Sequence, residues 1–177
     1  MKTKLLPALL ICLMYVAQSC NDPKTAKKYN YETEVDAPGL GFLKDAIEGG
    51  RTEIKASMLA ENVSKNPQVV DFAKMMVHDH TEAVEELKKI SADNLVDGVN
   101  EIGPEAKEKI DSLGKLTDGQ FDKAYMQMMV ADHNEAVTLF SEASETNKAA
   151  IQSFARKTLP TIEKHRDAAK NILASLK

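Results

Sequence analysis

Tryptophan is absent from the 177-residue chain, and Gly (8), Pro (6) and Cys (2) are scarce. Few turn formers, with Ala, Leu, Lys and Glu abundant, favour helix over sheet. No segment alternates apolar and polar residues as a half-buried strand does. Two cysteines make no disulfide framework. Basic charge is not in excess either, with 23 Lys and Arg against 27 Asp and Glu, which argues against nucleic acid or anionic lipid as a partner. No P-loop, Gly-rich dinucleotide motif or Ser-His-Asp arrangement occurs, so no catalytic residues are assigned and the chain is not expected to be an enzyme.

The first residues differ from the rest. Lys2 and Lys4 precede an apolar run, Leu5 to Val16, broken only by Pro7. This has the shape of a secretory signal, and the run is too short to span a bilayer comfortably. Ala17-Gln18-Ser19-Cys20 resembles a bacterial lipobox, departing from it at Gln18 and in lacking Leu at position 17. The resemblance implies cleavage before Cys20 and acylation of its thiol. Cys12 leaves with the leader, so Cys20 is then the lone cysteine, which a lipid explains and an internal disulfide does not. The alternative is an ordinary secreted protein with a chance cysteine. Removing residues 1–19 removes two lysines and no acid, leaving 21 basic against 27 acidic residues, a net of −6. The expected organisation is a signal peptide over 1–19, a polar tether over 20–39 and a helical domain over 40–177. The expected location is the bacterial cell envelope, in the outer membrane through lipid on Cys20, with no protein partner named by the sequence.

Four long helices are expected. The first runs from about Leu40 to Ser64, with Leu43, Ile47, Ile54 and Met58 on one face. The second opens with Asn66 as N-cap and Pro67 at the first helical position, and ends before Asp97-Gly98. Its apolar stripe is Val69, Phe72, Ala73, Met76, Val77, His80, Val84 and Leu87. Gly103-Pro104 opens a short extra helix to Leu113. Thr117 and Gln120 form a capping box for the third long helix, which reaches about Thr146. The fourth starts near Asn147 and contains Pro160, where a kink is expected. Amphipathic helices with short connections pack as an antiparallel four-helix bundle.

The most informative feature is an internal near-repeat. Met75-Met76-Val77-His78-Asp79-His80-Thr81-Glu82-Ala83-Val84 recurs as Met128-Met129-Val130-Ala131-Asp132-His133-Asn134-Glu135-Ala136-Val137. Residues three and four apart share a helix face, so His80 and His133 lie on the apolar stripes of their helices, and so does His165 beside Ile162, Ala169 and Ile172. His78 aligns with Lys74 and Glu82 and is expected at the surface. Glu53 stands beside Gly50, Ser57 and Ala60, small residues that let another helix approach. Glu53, His80, His133 and His165 therefore make a candidate ligand set for one transition-metal ion: zinc, iron, manganese or copper. Asp79 and Asp132, each about 100° from its neighbouring histidine, are candidate outer carboxylates. The pairs Met75-Met76 and Met128-Met129 suit copper, although at helical spacing methionines are first of all core filler. The competing reading is a structural or interaction module whose inward histidines form a hydrogen-bond network.

Several pieces together resemble a known family. They are Phe42-Leu43 with Glu48-Gly49-Gly50 and Glu53; Phe72-Ala73-Lys74-Met75-Met76-Val77 with Asp79-His80-Thr81; Phe121-Asp122-Lys123-Ala124-Tyr125 with Met129-Val130-Ala131-Asp132-His133; and Thr158-Leu159-Pro160 with His165. In this order the chain resembles the bacterial domain-of-unknown-function 4142 family. The resemblance implies an exported or outer-membrane-associated ferritin-like bundle and supplies no activity. Di-iron enzymes of ferritin-like fold place Glu three residues before a ligand His. Here those positions hold Met75, Val77, Val130 and Ile162, so a dinuclear carboxylate site is not expected.

Mass spectrometry of the protein from its native membrane checks the leader. The expected mature N-terminus is an acylated Cys20, stably anchored because it carries more than one chain. A free Cys20 thiol, or a mature terminus elsewhere, contradicts the lipobox assignment.

Overall fold

A computed structural model describes residues 35–97 and 101–176; Cys20, the leader and most of the expected tether lie outside them. The described chain is all helical: α1 Ala37–Val63, α2 Pro67–Asp93, a short α3 Pro104–Leu113, α4 Asp118–Ala143 and α5 Ala149–Ser175. α1 pairs with α2 and α4 with α5 as antiparallel hairpins. The hairpins meet through α1 against α4 and α2 against α5, and α3 lies on α1 and α4. The antiparallel bundle and the extra helix are both present.

Local chemistry sets the starts of α1 and α2. Asp36 accepts the Gly39 N–H at 3.0 Å, and Asn66 accepts that of Gln68 at 3.0 Å with Pro67 next to it. α1 thus begins at Ala37, before the expected Leu40, and Val35 is buried in the core, so residues 35–39 belong to the fold rather than to a tether. Thr117 occupies the N-cap position of α4, but its side chain makes no cap bond, so the capping box does not form. Asp118 follows in the left-handed region, at φ 50°. α2 stops at Asp93, with Asn94 as its cap. α5 runs through Pro160 as one helix and presents that ring to solvent.

The buried stripe of α1 is Leu43, Ile47, Gly50, Glu53, Ser57 and Ala60. Ile54 and Met58 stand one residue, about 100°, away from it. Ile54 is accordingly half-buried and Met58 is 53% exposed, against their expected place on the core face.

The core has two apolar halves. One holds Phe42, Leu43, Ile47, Leu87, Phe140 and Phe154, with the Phe42 and Phe140 rings edge-on at 5.1 Å. The other holds Val69, Phe72, Met76, Phe121, Tyr125 and Met129. Along each long helix the two sets are separated by polar residues: Thr52 and Glu53 on α1, His80 on α2, His133 on α4 and His165 on α5. A polar layer therefore crosses the bundle near its middle.

Gly50 lets α2 approach α1 beside that layer. A Cβ there would lie 2.8 Å from Val84 Cγ2 and 3.7 Å from His80 Nδ1. Val84 is β-branched and buried, so it has little room to give. Gly50→Ala is expected to cost about 1–3 kcal/mol in urea unfolding by overpacking this contact. A variant as stable as the parent contradicts a tight α1–α2 approach at Gly50.

Candidate metal centre

The histidines of the polar layer come from three helices and meet at one level. Their ring centroids are 5.6 Å apart for His80–His133, 5.5 Å for His80–His165 and 5.6 Å for His133–His165. One ligand atom from each lies within 4.8 Å of the other two. Counting residues back from the α4–α5 turn puts His165 about one turn off the level of His133. The structure nonetheless brings the two rings together, with centroids 5.6 Å apart.

Each ring is held from its outer side. His133 Nδ1 donates to the Met129 carbonyl at 2.9 Å. A carbonyl only accepts, so Nδ1 carries the proton and Nε2 a lone pair. His165 Nε2 donates to Asp79 Oδ2 at 2.9 Å, which leaves the lone pair on Nδ1. The same carboxylate receives exposed His78 Nδ1 on Oδ1 at 2.9 Å, and these bonds bring Asp79 below its ordinary pKa although partial burial opposes them. Glu53 places Oε2 at 3.1 Å from His80 Nδ1 and Oε1 at 3.1 Å from His133 Nδ1. As a carboxylate it favours the Nδ1–H form of His80, with the lone pair on Nε2.

His80 Nε2, His133 Nε2 and His165 Nδ1 are all buried, and none has a hydrogen-bond partner in the protein. Protonation does not relieve them. Burial, then the charges of the other two histidines, lowers the His80 pKa to about 3; burial, then His165, lowers that of His133 to about 4; burial also lowers His165. The layer at neutral pH is thus a convergence of uncharged imidazoles. Burial, then the charge of Asp132, holds Glu53 well above the usual carboxylate range. A cation among the rings would draw it back to the ionised form.

Not every expected residue takes the expected place. Glu53 reaches the layer, but it stands behind His80 and His133 and is outside the group of converging ligand atoms. Asp79 supports His165 across the α2–α5 contact. Asp132 touches no histidine; it pairs with Lys109 of α3 at 3.0 Å. Their 100° offset from the neighbouring histidine explains both, since it aims each carboxylate at a different helix. Lys109 and the Met129 carbonyl carry no sequence signal, because nothing local marks a contact made across the fold. His80, His133 and His165 could hold a metal ion as a nitrogen triad.

Residues 24–172 match the family described as Domain of unknown function (DUF4142). The chain belongs to that family. The DUF4142 chain is also similar in fold to the crystal structure of a DUF305 fragment from Deinococcus radiodurans. There the TM-score is 0.72 at 13% identity, covering 80% of this chain and 98% of that one. A DUF305 protein from Streptomyces coelicolor, described as secreted, gives a TM-score of 0.68 at 15% identity over 78% of this chain and 91% of its own. No curated protein matches. No helix among the described residues of this DUF4142 chain is long and apolar enough to cross a membrane.

Acid should loosen the metal-free DUF4142 domain through these histidines. Their folded pKa values, about 3 for His80 and about 4 for His133, lie below the ordinary 6.5. The unfolded chain therefore binds more protons between those limits, and stability falls as pH drops below about 6.5. Glu53, with its raised pKa, acts in the opposite sense: its contribution is present at low pH and is lost as pH rises. Urea midpoints of the chelator-treated chain from pH 7 to pH 4 are expected to fall, and less steeply in His80→Phe. A flat profile contradicts burial of the neutral rings.

Proposed function

We propose that this DUF4142 domain is the metal-holding part of an exported, lipid-anchored envelope protein, binding one transition-metal ion on His80 Nε2, His133 Nε2 and His165 Nδ1. The observation that carries the reading is the meeting of three buried imidazole nitrogens without a protein partner. With Glu53 ionised, three acceptors converge and repel one another, and a single water has only two hydrogens to offer them. One cation satisfies all three. The support behind the rings fits the same role: a ligand histidine is held in its tautomer by a carboxylate or carbonyl on the other nitrogen. Glu53 and Asp79 together also balance a divalent charge.

Neutral imidazoles suit zinc, copper, iron or manganese, with intrinsic affinity rising from manganese toward copper and metal supply deciding between them. No substrate conversion is assigned. The reading of a purely structural hydrogen-bond network has its own support in the bonds to Met129 and Asp79. It accounts for the outer nitrogens and leaves the inner ones without donors. Envelope anchoring rests on the leader and Cys20 of this sequence.

Elemental analysis of the full chain, purified without added histidines, tests the proposal. About one ion per chain is expected, with a higher melting temperature than after chelation. His133→Ala should lose both the ion and the temperature shift. Asp79→Asn should bind about 10–100-fold more weakly, as an outer support does. A helical parent that takes up no ion and shows no shift with any of the four metals overturns it.

A further inference from the structure

Two of the three histidines also border open space. A cavity of about 550 Å3 adjoins the triad, and His80 and His165 form part of its wall. That volume is in the range of small-molecule sites. Away from the histidines the lining is apolar, with Ala46, Val84, Ala136, Leu139 and Phe140 contributing. Toward α3 and solvent it is acidic, with Asp45, Glu48, Glu105 and Glu135. α3 is held over this side by Gly103 N–H to Glu48 Oε1 at 2.8 Å and by Lys109 to Asp132 at 3.0 Å.

We infer that the cavity admits a small molecule that donates a neutral nitrogen to the metal as a fourth ligand and lays an apolar body along the Val84–Phe140 wall. The inference rests on the metal reading above. Three protein nitrogens leave a coordination position open, as in sites that take an exchangeable ligand. The carboxylates nearest the triad are committed elsewhere: Glu53 to His80 and His133, Asp79 to His78 and His165, Asp132 to Lys109. An incoming ligand therefore does not compete with Glu53, Asp79 or Asp132 for that position.

Charge selects the ligand class. Seven carboxylates line the cavity (Asp45, Glu48, Glu53, Asp79, Glu105, Asp132, Glu135) against one ammonium, Lys109, itself paired with Asp132. With a divalent ion already balanced by Glu53 and Asp79, an anion in the fourth position would add negative charge to a negative cavity. A neutral azole or amine brings no such cost. The apolar wall then rewards a ring or alkyl body on the donor.

The test uses the full chain loaded with Co(II), whose visible spectrum reports the fourth ligand, and reads bound cobalt by elemental analysis after each titration. The probes are imidazole, 4-phenylimidazole and azide. Imidazole should shift the spectrum with cobalt retained, and 4-phenylimidazole should bind at least about tenfold more tightly, as expected from burying a phenyl group. Azide should bind more weakly than imidazole. Ala136→Phe, and separately Ala106→Phe from the α3 side, should remove the preference for the phenyl group while leaving cobalt affinity and imidazole binding in place. Azide binding as tightly as imidazole, no spectral response from cobalt-loaded protein, loss of cobalt to the probes, or a phenyl preference that survives both substitutions overturns the inference. A chain that takes up neither cobalt nor zinc, copper, iron or manganese overturns the metal reading itself, and the elemental analysis distinguishes that outcome.

Discussion

Three buried imidazoles that converge with no protein partner at their inner nitrogens constrain everything else in this bundle. Such groups are costly to bury unless something positive or hydrogen-donating lies among them. The costs of the outer nitrogens are met within the chain. Met129 O takes the proton of His133, Asp79 takes that of His165, and Glu53 stands against His80. The inner three nitrogens have no partner in the protein, and together the three histidines could hold a metal ion.

The layer also organises the hydrophobic core. The apolar residues of each long helix stop on one side of it and resume on the other, giving the Phe42–Phe140–Phe154 half and the Phe72–Phe121–Tyr125 half. Dividing the core this way places the polar layer away from the ends of the long helices. It also pins register. Sliding α2 by one turn along α1 would carry His80 away from Glu53 and push it into an apolar half.

Much of this was legible in the sequence because it is local or periodic. The Met-Met-Val-x-Asp-His-x-Glu-Ala-Val repeat has a period-3.6 stripe through each histidine, and the stripe fixes which way the ring points. His165 and Glu53 follow from the same geometry and their small or apolar neighbours. What was not legible depends on distance across the fold. Glu53 serves two histidines because α2 and α4 both border α1, and no pattern within residues 40–64 encodes that. Asp132 finds Lys109 on a short helix whose placement depends on Gly103 and Glu48. The cavity is likewise a property of how helices diverge. The misassigned Met58 shows the limit of periodicity itself: Ile54 and Met58 make a plausible stripe of their own, and only the small residues at 50, 57 and 60 mark the true contact face.

The distribution of the supporting groups has a consequence for how occupancy and folding relate. A metal site built on one helix can form without the rest of its domain. Here His80, His133 and His165 sit on α2, α4 and α5, while Glu53 joins them from α1, so every long helix contributes at least one side chain to the layer. No pair of helices can assemble the triad, and separating either hairpin from the other takes at least one nitrogen away. A bound ion would therefore see only the fully packed bundle and contribute its whole affinity to keeping the hairpins together. The α1–α4 and α2–α5 faces meet less extensively than the helices within each hairpin. That weaker seam, bridged by Glu53 to His133 and by Asp79 to His165, is where an ion would add most to the fold.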